Sequence, residues 1–103
     1  MPARARILIV DDERYVRESL SEMLSAEGYA CAVAGSLSEA LEQLGPSGAQ
    51  VVVSELKMPG GDGIELLTAL RKQGATLPVL MMTGVASSTS AFISDFRRGM
   101  KSS

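Results

Sequence analysis

The sequence predicts a doubly wound α/β domain, in which helices cover both faces of a parallel β-sheet. Three short apolar runs carry this prediction, because each has the length of a strand buried on both faces. Segments with helical spacing of apolar residues follow these runs, and strands that alternate with helices imply a parallel sheet. The three runs are Ile7–Val10, Val51–Val53 and Leu77–Met82.

The helical segments are bounded by residues that suit helix ends. Two of them begin with a capping box, in which a Ser or Asp precedes a Glu by three residues. Glycine or Gly-Pro stands where each of the three helices should stop. The capping pairs are Ser36 with Glu39 and Asp62 with Glu65, and the stop signals are Gly28, Gly45-Pro46 and Gly74. A weaker pattern predicts a strand at Tyr29–Ala34 and a last helix near Ala91–Met100.

Length and composition exclude several classes of protein. The 103 residues make one domain, residues 1–103, and a net charge of −2 gives no electrostatic reason to bind nucleic acid. Histidine is absent and Cys31 is the only cysteine, so an intramolecular disulfide or a Cys-His nucleophile is excluded. No apolar run approaches the length of a membrane span, and we expect no membrane contact and a cytoplasmic location.

Acidic residues follow two of the predicted strands. In an open parallel sheet, ligands bind outside the carboxyl ends of the strands, so Asp11, Asp12 and Glu55 are expected to converge. Two unit charges ~5 Å apart repel by roughly 3 kcal/mol at an effective dielectric constant near 20. The cluster therefore needs a proton, a lysine or a hard cation such as Mg²⁺, Mn²⁺ or Ca²⁺. The alternative is that Asp11 or Asp12 only caps the helix that follows.

Two further segments lie at the same edge of the predicted sheet. Thr83 ends the third apolar run, and its hydroxyl can donate to an anionic oxygen, although a threonine there also suits a plain strand. The segment Pro59–Gly63 lacks the spacing and the Lys-Ser/Thr ending of a phosphate-binding Walker loop. We therefore interpret it as a tight turn that leads into a capped helix.

Three motifs in this order resemble bacterial response-regulator receiver domains. Ile7–Glu13 resembles the first strand and acidic pair of that family, and Val51–Gly63 resembles its third strand and adjoining loop. Leu77–Thr83 resembles the fourth strand with its switch threonine. The likeness covers roughly Arg4 to Thr83, and it implies the flavodoxin-like (CheY-like) fold with strand order 2-1-3-4.

The resemblance implies a role in a two-component phosphorelay. In such receivers an aspartate accepts a phosphoryl group from a histidine kinase with the help of Mg²⁺. The position of that aspartate is taken here by Glu55. The implied metal ligands are Asp11, Asp12, Glu55 and the backbone carbonyl of Lys57, and Thr83 would supply the switch hydroxyl.

Two departures from the family pattern change these expectations. Glu55 is longer than aspartate by one methylene, which moves the carboxylate by about 1.5 Å and should impair in-line phosphoryl transfer. Glu55 would then make either a mimic of the active state or an inactive pseudo-receiver. The chain also ends before the fifth strand and last helix of the family. We expect self-association through the uncovered fourth strand, or exchange of the segment Ser90–Met100.

The function predicted is therefore that of a signalling module and not of an enzyme. It would bind a divalent cation and a protein partner, with phosphotransfer impaired at Glu55. One alternative is a small Mg²⁺-dependent phosphate-handling enzyme, which the absence of histidine disfavours. The other is a structural self-assembly element in which the acidic site is vestigial. Its marker would be a thermal stability that does not change with Mg²⁺ or Ca²⁺.

Overall fold

A computed structural model describes residues 4–82, in which four strands alternate with three helices. Both expected capping boxes form, because Ser36 accepts a hydrogen bond from the Glu39 amide and Asp62 accepts one from the Glu65 amide. The elements are β1 (Arg6–Val10), α1 (Arg14–Ala26), β2 (Ala30–Ala34), α2 (Leu37–Ser47), β3 (Val51–Glu55), α3 (Gly63–Lys72) and β4 (Val79–Met82).

All strand pairs are parallel, and the order across the sheet is β2-β1-β3-β4. This confirms the predicted doubly wound fold and its order 2-1-3-4. Leu8 of β1 faces Ala32 of β2 on one side and Val52 of β3 on the other. The chain thus reverses its direction across the sheet after β2, and the switch point lies between β1 and β3.

Residues of the two central strands alternate between two apolar layers. On one face of the sheet, Ile7 and Ile9 of β1 pack with Leu20 of α1. On the other face, Leu8 packs in a cluster with Leu66 of α3 and with residues of α2. Since side chains in a strand point alternately to opposite faces, a run without polar residues is needed to cover both layers.

The end of α2 differs from the prediction. We expected Gly45-Pro46 to stop this helix, but it continues through Ser47 with Pro46 inside its last turn. The helix ends at Gly48, whose φ of 64° is left-handed and whose amide donates to the Gly45 carbonyl at 3.1 Å. A proline near the carboxyl end of a helix removes a single helical hydrogen bond, so the helix can continue past it. The left-handed glycine that follows then ends the helix.

The predicted helix stops at Gly28 and Gly74 are confirmed, and the starts of two strands differ from the prediction by one or two residues. Gly28 and Gly74 have φ of 97° and 83° and directly follow the C-cap residues of α1 and α3. The strand expected at Tyr29–Ala34 begins at Ala30, and the one expected at Leu77–Met82 begins at Val79. Thr83, the expected last helix and the segment Ser90–Met100 lie outside the described residues. Between residues 4 and 82, no helix is long and apolar enough to cross a membrane.

Candidate functional site

The carboxyl ends of β1 and β3 lie side by side. Val10 of β1 is paired in register with Ser54 of β3, so Asp11 and Glu55 each stand one residue beyond this pair. Asp11 is only 2% exposed, Glu55 is half-buried, and Asp12 is exposed. The sheet therefore presents the acidic residues at the switch point, where a ligand of this fold class binds.

Burial raises the pKa of the Asp11 carboxyl above its ordinary value. A hydrogen bond from the Glu13 amide, at 2.9 Å from Asp11 Oδ1, acts in the opposite direction and lowers the pKa. The charges of Glu55, Asp12 and Glu13 raise it further, in that order. Ionisation of Asp11 is thus disfavoured by desolvation and by three neighbouring carboxylates, and a bound cation would relieve both costs.

Capping of α1 does not account for the acidic residues. The N-cap residue of α1 is Glu13, and its side chain makes no capping hydrogen bond. The Asp11 carboxylate bonds the amide of Glu13 itself, so it closes a turn before the helix instead of satisfying an amide of the first helical turn. Asp12 is exposed at the same loop. The helix therefore begins without the side-chain cap that Ser36 and Asp62 give to α2 and α3.

The Glu55 carboxylate turns towards its own loop. Its Oε1 accepts hydrogen bonds from the backbone amide of Leu56 at 3.0 Å and from that of Lys57 at 3.4 Å. The Leu56 amide also donates to the carbonyl of Met82 at 2.9 Å, so it is shared between the β3–β4 pairing and the carboxylate. The extra methylene of glutamate gives the carboxylate the reach to fold back in this way.

The loop after Glu55 is fixed by the close approach of α3. The Gly63 amide donates to the Leu56 carbonyl at 2.9 Å. A Cβ at Gly63 would lie 2.6 Å from Met81 Sδ and 2.8 Å from the backbone oxygen of Glu55. Glycine is therefore needed here for space, and it lets the start of α3 support the strand end that carries Glu55.

The oxygen atoms at this edge suit a hard divalent cation. Within residues 4–82 no group of three or more Asp, Glu, Cys or His side chains lies close enough together to hold a metal ion. Mg²⁺ does not require such a group, because it is commonly held by one or two carboxylates and keeps several of its waters. Asp11 and Glu55, whose charges interact at the strand ends, are the two carboxylates that would hold Mg²⁺ here.

Two residues that sequence reasoning missed also contact this site. Arg17 of α1 donates from Nη1 to the backbone carbonyl of Asp11 at 2.8 Å, and Gly35 lies against the same guanidinium. No motif signals these contacts, since an arginine on a helix and a glycine before a cap are common. The predicted carbonyl ligand Lys57 lies in the loop that contacts Glu55, and Thr83 lies beyond the described part of the chain.

The fold and the acidic strand ends define a doubly wound domain of the receiver class. The model of the family described as "Response regulator receiver domain" matches residues 7–101 of the chain. The chain belongs to the response-regulator receiver domain family. Receiver domains of this kind act in two-component signalling.

Curated relatives and solved structures agree with this assignment. The response regulator MprA of Mycolicibacterium vanbaalenii is 44% identical over 78 residues, which cover 76% of this chain and 34% of the relative. The chain therefore spans about a third of the length of the curated relatives it matches.

Two solved structures superimpose closely on this chain. The chemotaxis response regulator CheY4 of Vibrio cholerae has a TM-score of 0.73 and 32% identity, and the match covers 80% of this chain and 70% of that one. The response regulator TrrA of Thermotoga maritima, solved in complex with Mg²⁺ and BeF, has a TM-score of 0.72 and 34% identity, with coverage of 81% and 72%.

Proposed function

We propose that this receiver domain binds a divalent cation through Asp11, Asp12, Glu55 and the backbone carbonyl of Lys57, and that its phosphotransfer is impaired at Glu55. The observation that carries the cation site is the buried Asp11 carboxyl, whose pKa is raised by burial and by the charges of Glu55, Asp12 and Glu13. The structure of TrrA, solved with Mg²⁺, supports Mg²⁺ as the first ion to test. When bound, the cation would neutralise charge at the strand ends and attract a phosphoryl group.

Impaired phosphotransfer follows from the position of the Glu55 carboxylate. Its Oε1 is engaged by the amides of Leu56 and Lys57. An acceptor oxygen must lie in line with the bond that breaks, and a displacement of about 1 Å reduces such a reaction by roughly a hundredfold. Glutamate is longer than aspartate by one methylene, about 1.5 Å, and its hydrogen bonds to the loop amides would hold its carboxylate away from the position of an aspartate.

The test is intact-mass analysis after incubation with acetyl phosphate and Mg²⁺. We expect no adduct on the wild-type chain, a phosphoryl adduct on Glu55→Asp, and none on Glu55→Gln. The aspartate variant restores the family's acceptor, whereas the glutamine variant keeps the length of Glu55 and removes its charge. A stoichiometric, base-labile adduct on wild-type Glu55 would refute the impairment.

A second candidate function is that Glu55 acts as a permanent substitute for the phosphoryl group. The observation that favours it is the contact of Oε1 with two successive backbone amides, because such amides form an anion-binding site. Amide chemical shifts of residues 56–58 discriminate between a mimic of the phosphorylated state and an inactive receiver. A mimic should resemble the phosphorylated Glu55→Asp variant, whereas an inactive receiver should resemble the same variant before phosphorylation.

The partner that we propose is a histidine kinase, and the proposed location is the cytoplasm. A phosphorylated cognate kinase mixed with the Glu55→Asp variant should lose its label to the receiver. The wild-type chain should bind the kinase with a similar Kd but leave it labelled. Transfer to the wild-type chain at the rate of the variant would contradict this assignment.

Self-association is also proposed, through the edge of β4. This strand is the last in the described sheet, and Val79, Leu80 and Met81 are half-buried. An apolar edge strand is a template for pairing with a second chain. Sedimentation at micromolar concentration should give a dimer. A monomer across the concentration range would overturn both edge pairing and exchange of Ser90–Met100.

A further inference from the structure

Arg17 and Asp11 are linked through the main chain and not through their charges. The Arg17 guanidinium donates to the carbonyl oxygen of Asp11 at 2.8 Å. On the other side, the Asp11 amide donates to the carbonyl of Ala34 at 3.1 Å. Both backbone polar groups of Asp11 are therefore held by neighbouring elements, α1 and the end of β2. This fixes the direction in which the Asp11 side chain leaves the strand.

Gly35 supplies the space in which the guanidinium lies. A Cβ built on Gly35 would be 3.0 Å from Arg17 Nη1 and 3.3 Å from Glu39 Oε2. The Gly35 amide donates to that same Glu39 oxygen at 2.6 Å, so the loop cannot easily move away. The φ of Gly35 is not positive, so a side chain here is disfavoured by the tight space beside Arg17 and Glu39 and not by the backbone conformation.

Arg14 offers a contrast on the same helix. Its Nε lies 2.8 Å from Glu18 Oε1, in an ion pair whose side chains are 82% and 60% exposed. Exposed pairs of this kind contribute little to stability. Arg14 and Arg17 thus carry the same charge within one helical turn of each other, but Arg17 alone of these two contacts the backbone of Asp11.

We propose that Arg17 is a positioning residue for the cation site, and that the missing side chain at Gly35 admits it. The inference rests on the proposed cation binding at Asp11. A rigid guanidinium that holds the Asp11 carbonyl fixes the backbone from which the buried carboxylate projects, as partners of metal ligands do in other sites. If Arg17 acted only through its charge, it would weaken Mg²⁺ binding, because a positive group near the site repels the cation.

The experiment is calorimetric titration of the metal-free chain with Mg²⁺, accompanied by thermal unfolding without metal. Arg17→Met should raise the Kd for Mg²⁺ by about tenfold. The Kd of Arg17→Lys should lie between those of the wild type and Arg17→Met, because lysine keeps a donor but lacks the planar, forked guanidinium. Arg14→Met is the matched control for charge, and its Kd should stay within about twofold of the wild type or decrease.

A glycine pair provides a second test that leaves Arg17 unchanged. Gly35→Ala should displace the guanidinium and raise the Kd several-fold. Gly45→Ala, whose added Cβ meets nothing within 4 Å beyond its own helix and chain neighbours, should not alter the Kd. If Arg17→Met fails to fold, the Kd values of Arg17→Lys and Gly35→Ala still test whether Arg17 positions the cation site. A lower thermal stability with an unchanged Kd would show a merely structural role and overturn the inference.

The two proposals fail in distinguishable ways. A wild-type chain that shows no Mg²⁺ binding removes the proposed cation site, and this inference with it. A wild-type chain that binds Mg²⁺, with Arg17→Met and Gly35→Ala binding as tightly, removes only the positioning role. A Kd that decreases in Arg17→Met would likewise overturn positioning, because it is the sign expected of charge alone.

Discussion

The body of β1 and its carboxyl end are equally buried but chemically opposite. Ile9 is 0% exposed and Asp11 is 2% exposed, two residues apart on the same chain. Burial of Ile9 removes apolar surface from water and stabilises the fold. Burial of Asp11 raises the pKa of its carboxyl and disfavours the charge. The central strands therefore supply free energy of folding through apolar burial, while their ends hold a carboxyl group whose charge needs a partner.

The largest expected effect is in the body of the strand. Ile9→Ala should lower the free energy of unfolding by about 3 kcal/mol, because it leaves a cavity in the layer that packs against α1. Urea denaturation measures it. Tyr15→Ala, at a side chain that is 79% exposed, is the control and should change stability by less than about 0.5 kcal/mol. Equal losses of stability at Ile9 and Tyr15 would contradict the role of the buried strand in stabilising the fold.

The next effect lies where the core meets the site. Gly63→Ala should cost about 1–3 kcal/mol, since its Cβ would press on the backbone oxygen of Glu55 and on Met81. The amide resonances of Leu56 and Lys57 should shift as well, because the strand end must move. Gly45→Ala adds the same methyl group to open space. A variant at Gly63 as stable as the one at Gly45 would contradict the close packing.

A smaller effect is expected at the helix that follows the site loop. Asp62→Ala should destabilise the domain by about 1 kcal/mol, because it removes the acceptor of the Glu65 amide. Glu13 occupies the same N-cap position of α1 but makes no side-chain hydrogen bond there. Glu13→Ala should therefore leave the urea midpoint nearly unchanged. A loss of stability at Glu13 that matches the loss at Asp62 would be inconsistent with this difference.

The smallest effect is the pH dependence that arises from Asp11. Its pKa in the fold is raised above 3.8, so the folded chain binds this proton more tightly than the unfolded chain does. The resulting stability is fully present below pH 3.8 and is lost as the pH rises through the folded pKa. Asp11→Asn should abolish this loss and leave the metal-free domain more stable at neutral pH. Urea midpoints measured at a series of pH values would show this difference. Identical pH profiles for the wild type and Asp11→Asn would contradict it.

The sequence predicted the sheet well because its signals are local. A run such as Ile7–Val10 has no polar residue, so only a strand buried on both faces accommodates it. The capping boxes at Ser36 and Asp62 likewise depend on neighbours three residues away. The prediction for the end of α2 was wrong. Pro46 has the pattern of a stop signal, but the last helical turn tolerates the loss of one hydrogen bond.

The placement of Asp11 and Glu55 at neighbouring strand ends was predictable, whereas the contacts of their side chains were not. Strand ends locate Asp11 and Glu55, since register and parallel pairing follow from the order of elements. The direction of the Glu55 carboxylate depends on several side-chain torsions and on two loop amides. The contact of Arg17 with the Asp11 carbonyl depends on how α1 packs against the sheet and on the room at Gly35. Such three-dimensional contacts have no signature in the spacing of residues.

The most direct test of the cation site is anomalous diffraction from crystals of the wild-type chain grown with Mn²⁺. The cation site predicts one strong anomalous peak at the carboxyl ends of β1 and β3, bonded to oxygen atoms of Asp11 and Glu55. A peak elsewhere on the surface, or none at millimolar Mn²⁺, would contradict it.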